Sequence, residues 1–202
     1  MRYIILLVSL VATLPSLAGS PAAGVPAAGT PAAGRTKLVI DKTRSTATYT
    51  MKHPMHTWDG VSRDVNGALI YNADTKQIEN VAIVVKVASF DTKNANRDSH
   101  AIEVLDGIKY PTVSFTAQDI RSNPDGTLAI VGKLTFHGVT RPLTIQATRQ
   151  ETTDGFRVEG TFPISLTDYQ IEKPSLMMVP VEDVMTMKFN LAFKQVTPLV
   201  SP

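Results

Sequence analysis

The chain has 202 residues, 43% of them hydrophobic, with 20 Lys and Arg against 18 Asp and Glu. A formal charge of +2 with no basic run gives no footing to a nucleic-acid partner or to attraction toward an acidic membrane surface. There is no cysteine, which excludes disulfide staples, a thiolate centre and a lipid-modified cysteine anchor, so the fold has to stand on its core.

In chain order the first element is MRYIILLVSLVATLPSLAGS, with an early charge at Arg2, an apolar run from Tyr3 to Leu14, and small residues at Ser16 and Ala18. The run is too short to span a bilayer comfortably. Residues 1–18 therefore read as a signal peptide cleaved after Ala18, and the protein as exported and soluble, either periplasmic or secreted. Residues 19–35 repeat PAAG three times. Pro fixes φ, Gly loosens the chain and Ala buries little, which makes a linker without a core. Residues 36–202 have the length of one domain.

From there the pattern is two-residue alternation broken by turn residues. TATYTMKH puts Ala47, Tyr49 and Met51 on one face; GALIYNA follows, then ENVAIVVKVASF with Val81, Ile83, Val85 and Val87. NRDSHAIEVLDGIKYP interrupts the alternation. Ile102, Val104 and Leu105 recur at helical spacing, with Asp98 in the first turn and Gly107 just past the last, which predicts a short helix serving as a lid or plug.

Alternation resumes in TVSFTAQ (Val113, Phe115, Ala117), TLAIVGKLTF (Leu128, Ile130, Leu134, Phe136) and PLTIQATRQ (Leu143, Ile145, Ala147). FRVEGTFPIS (Phe156, Val158, Phe162, Ile164) and MTMKFNLAFK (Met185, Met187, Phe189, Leu191, Phe193) complete the set. The turns NADTK, NPDG, FHGV and TTDG are short enough to make neighbouring strands antiparallel hairpins. The class is all-β: eight antiparallel strands with one apolar face, able to close into a barrel with a short helical insertion. A lumen of that size is either filled by side chains or holds one elongated ligand.

The polar candidates carry little catalytic chemistry. His53 and His56 have H-x-x-H spacing, but on a continuous strand they would face opposite sides, and a third ligand would have to come from His100, His137 or an acid; no metal site is expected. Asp98, Ser99 and His100 are adjacent and cannot line up as a triad, and no GxSxG elbow, catalytic carboxylate pair or phosphate loop occurs, so the chain does not read as an enzyme. Arg97 and Asp98 read as an ion pair or cap that ties the helix down, with Arg97 also suited to a phosphate or quinone oxygen.

The stretches SFDTKNANRDSHAIEVLDGIKYPTVSF, VGKLTFHGVTRPLTI and LTDYQIEKPSLMMVPVEDVMTMKFNLAF resemble the YceI-like family of exported polyisoprenoid-binding proteins, in order and spacing from about Leu38 to Lys194. The resemblance implies a lipocalin-like barrel with an elongated apolar tunnel for a long-chain isoprenoid or other lipid, and binding rather than catalysis. The chain departs from the family at Glu103-Val104-Leu105-Asp106, where aromatic residues are common, and in KHPMHTWDGVSRDVNG.

On this reading the ligand-contacting candidates are Phe115, Phe136, Phe162, Met187 and Phe189 on the apolar faces, and Met177 and Met178 in the long loop before the last strand. Arg97, His100 and His137 are the candidates at the polar end. The bound molecule is an isoprenoid lipid or quinone, with no other cofactor. Each buried methylene contributes about 0.8 kcal/mol, so a few isoprene units bring affinity to the micromolar range after association costs. Two further readings are a hydrolase that depends on histidine or metal, built from His53, His56 and His100, and an accessory interaction module with a transient membrane or membrane-protein partner in a redox or stress system.

Overall fold

The computed structural model describes residues 34–195 apart from Met177. The elements are β1 (Arg35–Ile40), β2 (Thr46–His53), β3 (His56–Ser62), β4 (Val65–Asn72), β5 (Gln77–Lys86), α1 (Ala95–Val104), β6 (Thr112–Ser122), β7 (Thr127–Phe136), β8 (Val139–Thr152), β9 (Gly155–Ser165), β10 (Ser175–Leu176), β11 (Val179–Pro180) and β12 (Val184–Gln195). Every pairing is antiparallel. The order β1-β4-β5-β6-β7-β8-β9-β12 closes through β1 on β12, an eight-stave barrel as the alternation predicts.

Two staves are broken in half, which the sequence reading did not anticipate. β1 and β2 both lie along β12, β1 against Phe193 to Gln195 and β2 against Thr186 to Asn190; β4 pairs with β1 and β3 with β2. Neither half-stave missed from the sequence, β1 or β3, alternates clearly. RTKLVI ends in three contiguous apolar residues, and HTWDGVS carries Asp59 and Gly60 in its middle.

Side chains replace the ladder at the breaks. Between β1 and β2, Ser45 Oγ accepts the Ala192 N–H at 3.0 Å, and Asp41 N–H donates to Ala192 O at 2.8 Å. Between β3 and β4, Ser62 Oγ meets Ser89 Oγ at 2.7 Å. Lys42 Nζ reaches Asp64 Oδ1 at 2.8 Å and joins the two breaks.

The inward residues form two apolar clusters, one toward each end of the barrel, with Phe115, Leu143 and Phe162 packed against both. At one end Leu38, Tyr71 and Phe156 make a floor, with the two rings edge to face at 4.7 Å. Arg149 turns inward there, its guanidinium 5.0 Å from the Phe156 ring, and covers the floor. The turns after β4, β6 and β8, the start of β1 and the end of β12 share this end. The helix lies at the other.

Candidate functional site

The barrel is not filled. A narrow space of about 110 Å³ lies deep in the lumen and a wider one of about 450 Å³ lies under α1; Val85, Val113 and Met187 line both, so the two adjoin. Phe115, Phe162 and Phe189 line the deep part, Phe136 lines the wide part, and Met187 stands where they join.

Glycines on neighbouring strands leave room beside the wall for the rings of Phe115, Phe189 and Tyr49. A Cβ at Gly132 would come within 2.5 Å of the Phe115 ring, one at Gly160 within 2.6 Å of Phe189, and one at Gly60 within 2.2 Å of Tyr49. By strand parity all three glycines face inward, and each takes a ring flat against the wall. Space that three side chains would have filled stays open.

The lid grows from a gap in the wall. Lys86 at the end of β5 pairs with Thr112 at the start of β6, and Val87 N–H donates to Pro111 O at 2.9 Å to close the neck of the excursion. On the side away from β2, β3 meets the excursion through the single bridge Val61–Asp91. α1 covers the remaining opening with Arg97, Ala101, Val104 and Leu105 toward the cavity.

Local sequence fixes both ends of α1. Asn94 is the N-cap, its Oδ1 accepting Arg97 N–H at 3.1 Å. The left-handed residue at the C-terminus is Asp106 (φ 45°) rather than Gly107, and Gly107 N–H donates to Ile102 O at 2.8 Å. Gly107 is needed for closeness: a Cβ there would lie 2.8 Å from Ile102 Cγ2.

Thr92 fastens the first turn. Asp98 Oδ1 accepts from Thr92 N–H at 3.1 Å and from its hydroxyl at 2.5 Å, while Arg97 donates through Nε to Thr92 Oγ1 and through Nη2 to Thr92 O, both at 2.9 Å. Arg97 and Asp98 thus act through one buried threonine rather than as a direct ion pair. The Arg97 guanidinium also lies 5.2 Å from the centre of the Trp58 ring.

That contact begins a row along the mouth: Trp58 to His56 at 5.0 Å, and His56 to His53 at 5.4 Å. The expectation that H-x-x-H would split across two faces assumed a continuous strand. Pro54 and Met55 instead form a hairpin turn, and His53 and His56 pair directly across it. The His53 nitrogens are both engaged: Nδ1 accepts Met55 N–H at 3.2 Å, so Nε2 carries the proton donated to Val179 O at 3.1 Å. Among the described residues no three His, Cys, Asp or Glu side chains are grouped to hold a metal ion. Tyr49 lines the same space, and burial pushes its phenol above the usual range, which keeps it a hydroxyl.

The polar-end candidates divide. Arg97 and His100 line the wide space; His100 is exposed, with Nδ1 3.7 Å from Glu103. His137 lines neither space. It sits with Gly138 in the β7–β8 turn, where both take positive φ; its Nδ1 lies 3.0 Å from Tyr169 O and its ring meets Tyr110 edge-on at 4.9 Å, so it joins the turn to the chain after β9. Met178, with φ 64°, points outward from the β10–β11 turn and is 92% exposed. Met177 lies outside the described residues.

Alternation already places Tyr49 inward. Trp58, the chain's only tryptophan, Phe90 and Ile171 also line the wide space, and only their loop or half-stave settings hid them. The assembled site is an apolar bore with its polar groups gathered at the lidded end, shaped for an elongated molecule with one polar terminus.

A family model described as a YceI-like domain matches residues 38–193. A UPF0312 protein of Ectopseudomonas mendocina is 31% identical over 145 residues, 66% of this chain and 76% of that protein. Protein YceI of Salmonella newport is 30% identical over 145 residues, 65% of this chain and 74% of its own length. Among solved structures, Burkholderia cenocepacia BcnA superposes with a TM-score of 0.68 at 19% identity, covering 75% of this chain and 98% of its own. A polyisoprenoid binding domain from Saccharophagus degradans does so with a TM-score of 0.65 at 14% identity, covering 79% and 98%. The matched span runs from within β1 to within β12 and includes the lid, and the chain belongs to the YceI-like family.

Proposed function

We propose that this protein binds a long-chain isoprenoid or similar amphiphile, with the tail in the deep bore and the polar end beneath α1. The observation that carries the reading is the open apolar lumen, whose wide part of about 450 Å³ has the size of a small-molecule site. The ligand named for the Saccharophagus degradans domain supports it. Sequestration or carriage is the role, and Arg97, Asp98 and His53 at the mouth are engaged in holding the lid and hairpin. Residues 1–18 act as a signal peptide and 19–35 as a linker, and 36–202 form the binding domain, delivered to the periplasm or the medium.

Solvent extraction of the natively purified protein, followed by mass spectrometry, is expected to release one lipid per chain. A protein that yields none, and that also takes up no dispersed polyprenol, overturns the reading.

A further inference from the structure

The most exposed large apolar side chains do not lie on the barrel wall. Ile108 is 97% exposed, Met178 92% and Met55 65%, whereas Val84, Val131 and Val184, the exposed apolar residues within the wall strands, are each less than half exposed. Each of the three belongs to a rim segment that also lines the wide cavity. Met55 lies between His53 and His56, Ile108 follows Val104 and Leu105, and Met178 lies between Ser175 and Val181. Two of the tips are bonded together, since His53 holds Val179 O at 3.1 Å and thereby sets the β2–β3 turn beside the β10–β11 turn. Exposed apolar side chains therefore stand at three points on the rim of the wide space.

The charges on these segments select the partner. Exposed Lys52, Lys109 and Lys173 stand among exposed Glu103, Asp106, Glu172 and Glu182, so the rim carries no basic excess to draw anionic headgroups. Apolar tips in a ring without basic excess suit the interface of a neutral, zwitterionic bilayer, where apolar insertion rather than attraction to anionic headgroups supplies the binding.

We propose that the lidded end of the barrel, through Met55, Ile108 and Met178, docks on a zwitterionic lipid surface with the cavity mouth against the bilayer. This rests on the lumen being a lipid site and gives that site its route of loading.

The absence of cysteine makes the test direct, since each introduced thiol is unique. Met178→Cys, Ile108→Cys and the wall control Val131→Cys are labelled in the full chain with an environment-sensitive fluorophore and mixed with phosphatidylcholine–phosphatidylethanolamine vesicles. A blue shift with several-fold protection from an aqueous quencher is expected at positions 178 and 108 and not at 131, persisting at high salt. Met55→Asp is expected to weaken the response at 178 by roughly ten-fold or more. No shift at either rim position, an equal shift at 131, a shift that requires phosphatidylglycerol, or a concentration-dependent shift without vesicles (contact between two copies) each overturns the proposal. Lumen occupancy is read separately by extraction. Docking by a protein that never holds lipid faults the lumen reading, and loading from dispersed lipid without docking faults this one.

Discussion

Ser45 stands where the first stave breaks, fully buried, and its hydroxyl substitutes for a missing strand partner of Ala192. Ser45→Ala leaves that N–H without an acceptor in a buried seam, and urea unfolding is expected to show a loss of about 1–3 kcal/mol. Beside it, Asp41 accepts from the Thr43 hydroxyl and N–H, and meets Arg44 and Lys194 at 3.1 and 3.3 Å. The Thr43 hydroxyl first, with its N–H and the two cations, holds the Asp41 carboxyl well below the usual carboxylate range. A carboxyl depressed in the folded state stabilises fully above its unfolded pKa of about 3.9, and that contribution is lost as pH falls below it. Asp41→Asn is therefore expected to lower Tm at neutral pH and to flatten the decline of Tm between about pH 4 and 2, as followed by thermal melts across that window.

At the scale of the element, α1 buries none of its residues fully, and the Thr92 knot holds its first turn. Thr92→Val removes the hydroxyl shared by Arg97 and Asp98. Amide exchange in Ala95–Val104 is expected to quicken by about ten-fold, with a much smaller change in the barrel strands, because opening of the lid is a local event. Within the strands, the paired glycines and rings set the bore. Gly160→Val would drive the Phe189 ring off the wall into the lumen, and the affinity for a dispersed polyprenol is expected to fall by about ten-fold or more while the fold persists. Unchanged affinity in that variant would mean that the deep bore takes no part in binding.

For the whole molecule, closure depends on β1, the short stave that joins β4 to β12. A chain that starts at Gly34 retains it and is expected to melt as the full chain does. One that starts at Asp41 leaves part of β12 and β4 as open edges, and is expected to lose cooperative melting and to associate through them.

The two-residue period determined the strands β2, β4 to β9 and β12 and the direction of their apolar residues, because burial on one face of a pleated strand imposes that period whatever the neighbours are, and the short turns made them antiparallel. The same logic placed Phe115, Phe162, Met187 and Phe189 inward. Only the tertiary structure decided that the inward space is open, since that depends on Gly60, Gly132 and Gly160 lying opposite particular rings on adjacent strands. It also decided that His53 and His56 pair across a turn, that Thr92 rather than a direct ion pair holds the lid, and that His137 lies away from the bore. These are contacts between segments distant in the chain, and a periodicity read along one strand carries no information about what the next strand sets against it.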